Sequence, residues 1–252
     1  MRIALLGDIH SNLAALRAVL DHAEARHPVD RLWVLGDTVG YGPHPNECIA
    51  LLRRYAQDAV VGNHDLAALG RLDTSTFNSY ARVASAWTAD ALNDDSRLYL
   101  EAQPEVVVPR KDDGRDDWTL VHGTLRDPVV EYLFSPAAAL AHLRLQTTPF
   151  GAVGHTHIPA IAQLDGGEGL ATFAALLDGA VIELDGGGRV VLNPGGVGQP
   201  RDGDPRAAYA LYDDGAGVVT FHRVPYDIAA TQRAMETAGL PRPLIDRLSV
   251  GR

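Results

Sequence analysis

The chain opens on a short apolar run, Ile3 to Leu6, that reads as a buried strand. Behind it Asn12 can cap a helix whose apolar stripe is Leu13, Leu16, Leu20 and Ala23. The unit then repeats. Leu32 to Leu35 reads as a strand, Pro45 starts a helix carrying Cys48, Ile49, Leu52 and Tyr55, and Ala59 to Val61 is a third strand. Short strands alternating with helices predict parallel strands joined by crossovers.

Helical spacing of Tyr80, Val83, Ala84, Trp87 and Ala91 places an inserted helix over Asn78 to Asn93, with Trp87 in the core. Glu105 to Val108 and Trp118 to Val121 read as a hairpin across the charged loop Lys111 to Asp117, whose Asp112, Asp113, Asp116 and Asp117 are solvated. Ser135 and Pro136 open a helix through Leu145, and Gly151 to Val153 returns to the sheet. After His157 the texture becomes strands and glycine-rich turns. Asp165-Gly166-Gly167 and Asp185-Gly186-Gly187-Gly188 punctuate runs such as Gly179 to Leu184 and Arg189 to Leu192, and Asp213-Asp214-Gly215 separates Ala208–Tyr212 from Val218–Val224. These runs are expected to form the hairpins of a second sheet stacked on the first. Ile228 to Ala238 and Leu240 to Val250 close the chain as helices.

At 252 residues and 46% hydrophobic content the chain can bury one sizeable core, so one domain spanning residues 1–252 is expected. The formal charge of −10 disfavours duplex nucleic acid as a partner, while a small phosphorylated substrate remains compatible because bound cations invert the local field. Cys48 is the only cysteine, which excludes an intrachain disulfide and fits a buried small side chain. No window approaches the roughly 20 apolar residues of a membrane span. A soluble, cytoplasmic protein is the expectation, and oligomeric state has no signature.

Five strand ends carry the chemistry: Gly7-Asp8-Ile9-His10, Gly36-Asp37, Gly62-Asn63-His64-Asp65, His122-Gly123 and Gly154-His155-Thr156-His157. Ligands in open α/β sheets collect beyond the carboxyl ends of strands, so five such ends on one sheet edge can build a two-metal site. If the backbone stays extended there, Asp8 and His10 point the same way, as do His155 and His157. Carboxylates, one amide oxygen and several imidazoles suit Zn, Mn, Fe, Co or Ni rather than Ca.

The ordered series Asp-x-His, Gly-Asp, Gly-Asn-His-Asp, His and Gly-His-x-His resembles the calcineurin-like metallophosphoesterases over essentially the whole chain, and most closely their small bacterial and archaeal phosphodiesterase-like branch. The resemblance implies a four-layer α-β-β-α sandwich of two mixed β-sheets flanked by helices. It implies one divalent metal on Asp8, His10, Asp37 and His157 and a second on Asp37, Asn63, His122 and His155, with Asp37 bridging and a metal-bridging hydroxide as nucleophile. His64 would serve the leaving oxygen as acid or charge stabiliser, oriented by Asp65. The activity implied is hydrolysis of a phosphodiester or phosphomonoester of a small molecule, nucleotide-type substrates included. The alternative is a non-catalytic scaffold of the same fold.

Phosphoprotein phosphatases of that superfamily carry Asp-Arg where this chain has Gly40 and Tyr41, and that Arg grips the phosphate. Its loss disfavours a serine/threonine phosphatase. Arg126, Arg201 and Tyr41 are the candidate substrate contacts. Arg201 closes the stretch from Asn193 to Pro200, which reads equally as a loop presenting amides to an anion or as a tight turn.

Overall fold

The computed structural model describes residues 1–110, 114–165 and 169–252. In chain order the elements are β1 (Arg2–Leu6), α1 (Leu13–Arg26), β2 (Arg31–Leu35), α2 (Pro45–Leu52), β3 (Gln57–Val60), α3 (Asn63–Ala68), α4 (Ser79–Ala91), α5 (Asp94–Glu101), β4 (Val106–Val107) and β5 (Trp118–Val121). They continue with α6 (Pro136–Leu145), β6 (Phe150–Ala152), β7 (Pro159–Asp165), β8 (Thr172–Ala175), β9 (Val181–Glu183), β10 (Gly188–Pro194), β11 (Ala207–Asp213), β12 (Val218–Val224), α7 (Ile228–Thr237) and α8 (Arg242–Asp246). Two six-stranded mixed sheets result, ordered β3-β2-β1-β11-β12-β9 and β4-β5-β6-β10-β7-β8. Asp112, Asp113, Gly166 and Gly167 lie outside the described residues.

The later strands do not make a sheet of their own. β11, β12 and β9 extend the sheet begun by β1, whereas β7, β8 and β10 join β5 and β6. The Asp185–Gly188 turn is therefore a crossing between sheets, because β9 pairs with β12 and β10 with β6 and β7. Turn composition marks where the chain reverses and says nothing about which partner the next strand takes. The β4–β5 and β11–β12 hairpins form as expected.

Period-two alternation builds the layers. Ile3 and Leu5 face the opposing sheet and meet Trp33, Trp118, Phe150 and Leu192, while Ala4 and Leu6 face the outer helical layer with Leu16, Leu20 and Leu52. At the centre Trp118 packs its ring 5.0 Å from Trp33 and 5.1 Å from Tyr212, joining both sheets. On the far side α6 covers the second sheet through Leu143 against Val153 and Val191.

Capping decides where helices begin. Asn12 accepts from the Ala15 amide at 3.2 Å and Ser135 from the Ala138 amide at 3.2 Å, both as expected. In α4 the buried face is Ala81, Ala84, Ser85 and Thr88, leaving Tyr80 and Val83 exposed. Small residues turn inward because Met235, Leu244 and Leu248 of the C-terminal helical segment, together with Tyr41, fill the space opposite. Trp87 packs against the same cluster. Among the described residues no helix is long and apolar enough to cross a membrane.

The interlocked rings between the sheets give a stability prediction. Trp33→Ala should cost about 3–5 kcal/mol, read from the urea midpoint at constant m. Leu177→Ala, at an 82% exposed position, should stay within about 0.5 kcal/mol. Equal effects of the two would contradict the inter-sheet core.

Candidate metal centre

Strands from both sheets, not one, supply the site. β1, β2 and β3 run parallel in the first sheet, and β5, β6 and β10 run parallel in the second. Just past their carboxyl ends lie Asp8, Asp37, Asn63, His122, His155 and Gln199 in turn. Face-to-face stacking therefore brings two sets of strand ends to a common edge.

The backbone there is not extended. Asp8, His10, Ser11, Asp37, Tyr41, His155 and His157 all hold φ between 47° and 65°, the left-handed region, at a cost of order 1–3 kcal/mol each. Side chains two apart consequently need not share a direction. Asp8 and His10 do converge with Asp37 and His157, but His155 joins Asp37 and His122 in a second group. Each group presents atoms within 4.8 Å of one another and could hold a metal ion, with Asp37 common to both. Two glycines make the approach possible. A Cβ on Gly62 would sit 2.2 Å from Asp37 Oδ1, and one on Gly36, at φ +80°, would sit 2.7 Å from His122 Nδ1.

Backbone carbonyls fix the four imidazoles of these two groups. His10 Nδ1 donates to Val39 O at 3.1 Å, His122 Nδ1 to Leu35 O at 2.7 Å and His157 Nδ1 to Gln199 O at 2.5 Å. His155 is turned round, its Nε2 donating to Val130 O at 3.1 Å. A carbonyl only accepts, so each of these nitrogens carries the proton and the inner one is left as a bare lone pair. Inner nitrogens then confront each other. His10 Nε2 lies 3.2 Å from His157 Nε2, and His122 Nε2 lies 3.1 Å from both His155 Nδ1 and Asn63 Oδ1. Asp37 Oδ2 stands 3.6 Å from His10 Nε2 and 3.5 Å from His122 Nε2, and Asp8 Oδ1 lies 3.3 Å from His157 Nε2. The buried Asp8 Oδ2 has no hydrogen-bond partner. Such a set of acceptors facing acceptors fits divalent cations and little else.

Electrostatics agree. Burial, the largest cause in each case, pushes His122 down to about 4, His155 to about 2, and His10 and His157 well below the usual imidazole range. All four are neutral and ligand-competent at neutral pH. Burial and then the neighbouring Asp37 push Asp8 up, and burial raises Asp37 as well. Cations between these carboxylates would reverse that penalty.

His64 packs its ring 4.3 Å from Tyr41 and 5.0 Å from His10, and its buried Nδ1 lacks a partner. Asp65 does not orient it. The Asp65 carboxylate instead accepts from the amides of Val39 at 2.9 Å, Gly62 at 3.0 Å and Thr38 at 3.3 Å, tying the loops after β2 and β3 together. His64 is held through its own backbone, which donates to Asp37 Oδ1 at 2.8 Å.

Of the substrate candidates, Arg201 and Tyr41 reach this edge. The Arg201 guanidinium lies 5.9 Å from the Tyr41 ring centroid, its Nε is buried without a partner, and its field bears on Asp8, Asp37 and His64. Arg126 is engaged elsewhere, in an exposed ion pair with Glu131. Three amides of the loop before Arg201 are engaged within the protein. Those of Gly195, Val197 and Gly198 donate to Asn193 Oδ1, Gly7 O and Asp8 O at 2.8–2.9 Å. Sequence reasoning missed Asn193, whose amide nitrogen donates to Gly154 O at 2.6 Å and to Thr156 Oγ1 at 2.9 Å and so pins the Gly-His-x-His turn. It also missed Tyr132, stacked on His155 at 3.8 Å. The carbonyls that orient the imidazoles have no signal in residue identity at all.

Comparison with known proteins gives the same picture. A crystallised metallophosphoesterase from Sphaerobacter thermophilus is 45% identical, superposes with a TM-score of 0.88 and is matched over 100% of this chain and 99% of its own. An uncharacterized protein of Methanocaldococcus jannaschii is 36% identical over 251 residues, 99% of this chain and 98% of the relative. A symmetrical bis(5'-nucleosyl)-tetraphosphatase of Psychromonas ingrahamii is 37% identical over only 71 residues, 26% of its length. The family model for the calcineurin-like phosphoesterase superfamily domain matches residues 1–215, and the chain belongs to that family of phosphoester hydrolases.

Proposed function

We propose that this chain is a dinuclear metal-dependent phosphoesterase acting on a phosphodiester or phosphomonoester of a small molecule, nucleotide-type substrates included. The observation that carries this reading is the pair of inward nitrogen contacts at 3.1–3.2 Å, where protons are fixed on the outer side of each ring. Asp8, His10, Asp37 and His157 would hold one divalent ion, and Asp37, Asn63, His122 and His155 the other. The donor mixture suits Mn, Zn, Fe, Ni or Co. Ions so placed lower the pKa of water and neutralise charge that develops on phosphoryl oxygens.

The remaining roles belong to side chains around them. Arg201 supplies the guanidinium that the sequence lacks at Tyr41, lying instead over the Tyr41 ring, and it would bind a phosphoryl oxygen. Its Nη2 donates to Gln199 Oε1 at 3.0 Å, and its buried Nε has no partner. His64 would hydrogen-bond the leaving oxygen. Burial, Arg201 and His122 hold it well below the usual imidazole pKa in the free chain, and an arriving phosphate anion opposes that shift. Asp65 acts on the loops that carry Thr38, Val39 and Gly62 and so positions Asp37 and His64 together.

Hydrolysis of bis-p-nitrophenyl phosphate should require added Mn, Co, Ni or Zn, and Asp37→Asn should lower it by at least about 100-fold. Metal-independent turnover, or an unaffected Asp37→Asn, would count against the reading. His64→Ala should lose on the order of 10²–10⁴ in kcat with metal content unchanged, as checked by elemental analysis. Arg201→Met should raise KM by about tenfold or more, the loss of one charge-assisted contact, with a smaller change in kcat.

A further inference from the structure

Beyond His155 the site continues into a column of rings. The Tyr132 ring lies parallel to His155, 3.8 Å between centroids and 12° between planes. Phe134 lies on the other side of Tyr132, at 5.2 Å and again 12°. Tyr132 is 42% exposed and Phe134 51%, so the column runs from the metal centre out to solvent. Leu133 between them is buried against Ala139, Leu143 and Val153, which fixes its two neighbours facing outward.

The segment that carries these rings is built to keep them still. Gly123 N donates to Pro128 O at 2.7 Å, Leu125 N donates to His142 Nδ1 at 3.1 Å, and Asp127 Oδ1 accepts from the amides of Val129 and Val130. Thr124 and Arg126 both hold Glu131. Arg126 therefore braces this loop, and the Val130 carbonyl joins the loop to the imidazole it orients. Half-exposed aromatic side chains on a pre-ordered loop lose little freedom when a ring lands on them, and stacking accepts any planar ring.

We propose that Phe134, backed by Tyr132, is a stacking platform for the organic arm of the substrate, which selects phosphoesters carrying a planar aromatic group of nucleobase type. The proposal rests on the phosphoesterase reading above, since it places the phosphoryl group at the metal centre beside His155. Column and centre share that histidine. The arm would thus lie one ring layer beyond Phe134 while the phosphate occupies the edge near Arg201.

Titration calorimetry on the Mn-loaded chain, with α,β-methylene-ADP against methylenediphosphonate, separates the arm from the anion because both carry the same methylene-bridged head group and the nucleoside arm is long enough to reach Phe134. The nucleotide analogue should bind about tenfold or more tightly, Phe134→Ala should remove most of that preference, and Phe134→Tyr should keep it. Equal binding of the two phosphonates, or a preference that survives Phe134→Ala, overturns the platform and leaves hydrolysis standing. A preference that behaves as expected in a chain that turns over no phosphoester supports the platform and strikes only the hydrolytic reading.

Discussion

Four imidazole lone pairs and two buried carboxylates are held face to face, and their mutual repulsion is the constraint on which the rest of this structure turns. An interior of low dielectric magnifies that repulsion, and an uncompensated buried carboxylate is among the most costly groups a fold can carry. Carbonyls of Leu35, Val39, Gln199 and Val130 leave the rings no alternative, because each accepts the hydrogen bond of an outer N–H and so aims the inner lone pair at a neighbour. Only positive charge relieves the arrangement. The backbone, as much as the side chains, arranges a set of donors that could hold cations.

That backbone is strained where it has to be. Left-handed φ at Asp8, His10, Asp37, His155 and His157 turns side chains off the strand ends and toward one point. Such conformations persist because surrounding contacts over-determine them. His10 N bonds Asp37 O, Gly198 N bonds Asp8 O and Asn193 clamps Gly154, so each loop is fastened to a loop from another strand. Both sheets take part, and the Trp33, Trp118 and Tyr212 cluster that locks them together also holds the two halves of the site in register.

The centre was far more legible in the sequence than the topology around it. Ligating residue types after apolar runs survive translation into structure because strand ends are local events, readable from a few adjacent residues. Sheet membership is not local. β9 and β10 are separated by a glycine-rich turn like that of a hairpin, yet they enter different sheets, and only their packing partners decide it. The expected extended spacing at His155 and His157 failed for a related reason, since left-handed φ at a histidine is imposed by tertiary contacts and not by its own preference. Asp65 shows the same limit. The resemblance implied that Asp65 orients His64, but its carboxylate accepts from three backbone amides brought in by folding. Tyr132 and Phe134 left no trace because their meaning depends on a ring from a segment more than twenty residues away.

On the proposed reading, substrate recognition would divide between charge and shape. Arg201 arrives from the loop after β10 to occupy the neighbourhood of Tyr41, so a guanidinium absent from one motif would be supplied from another part of the chain. The aromatic column offers a surface of a different kind on the side of His155. Both rest on the claim that the buried acceptors bind cations. Elemental analysis of the chain after dialysis against Mn or Zn, paired with thermal unfolding before and after chelation, tests it most directly. The account predicts two ions per chain and a melting temperature that falls when they are removed. A chain that takes up no divalent ion, and whose melting temperature is indifferent to the chelator, would contradict it.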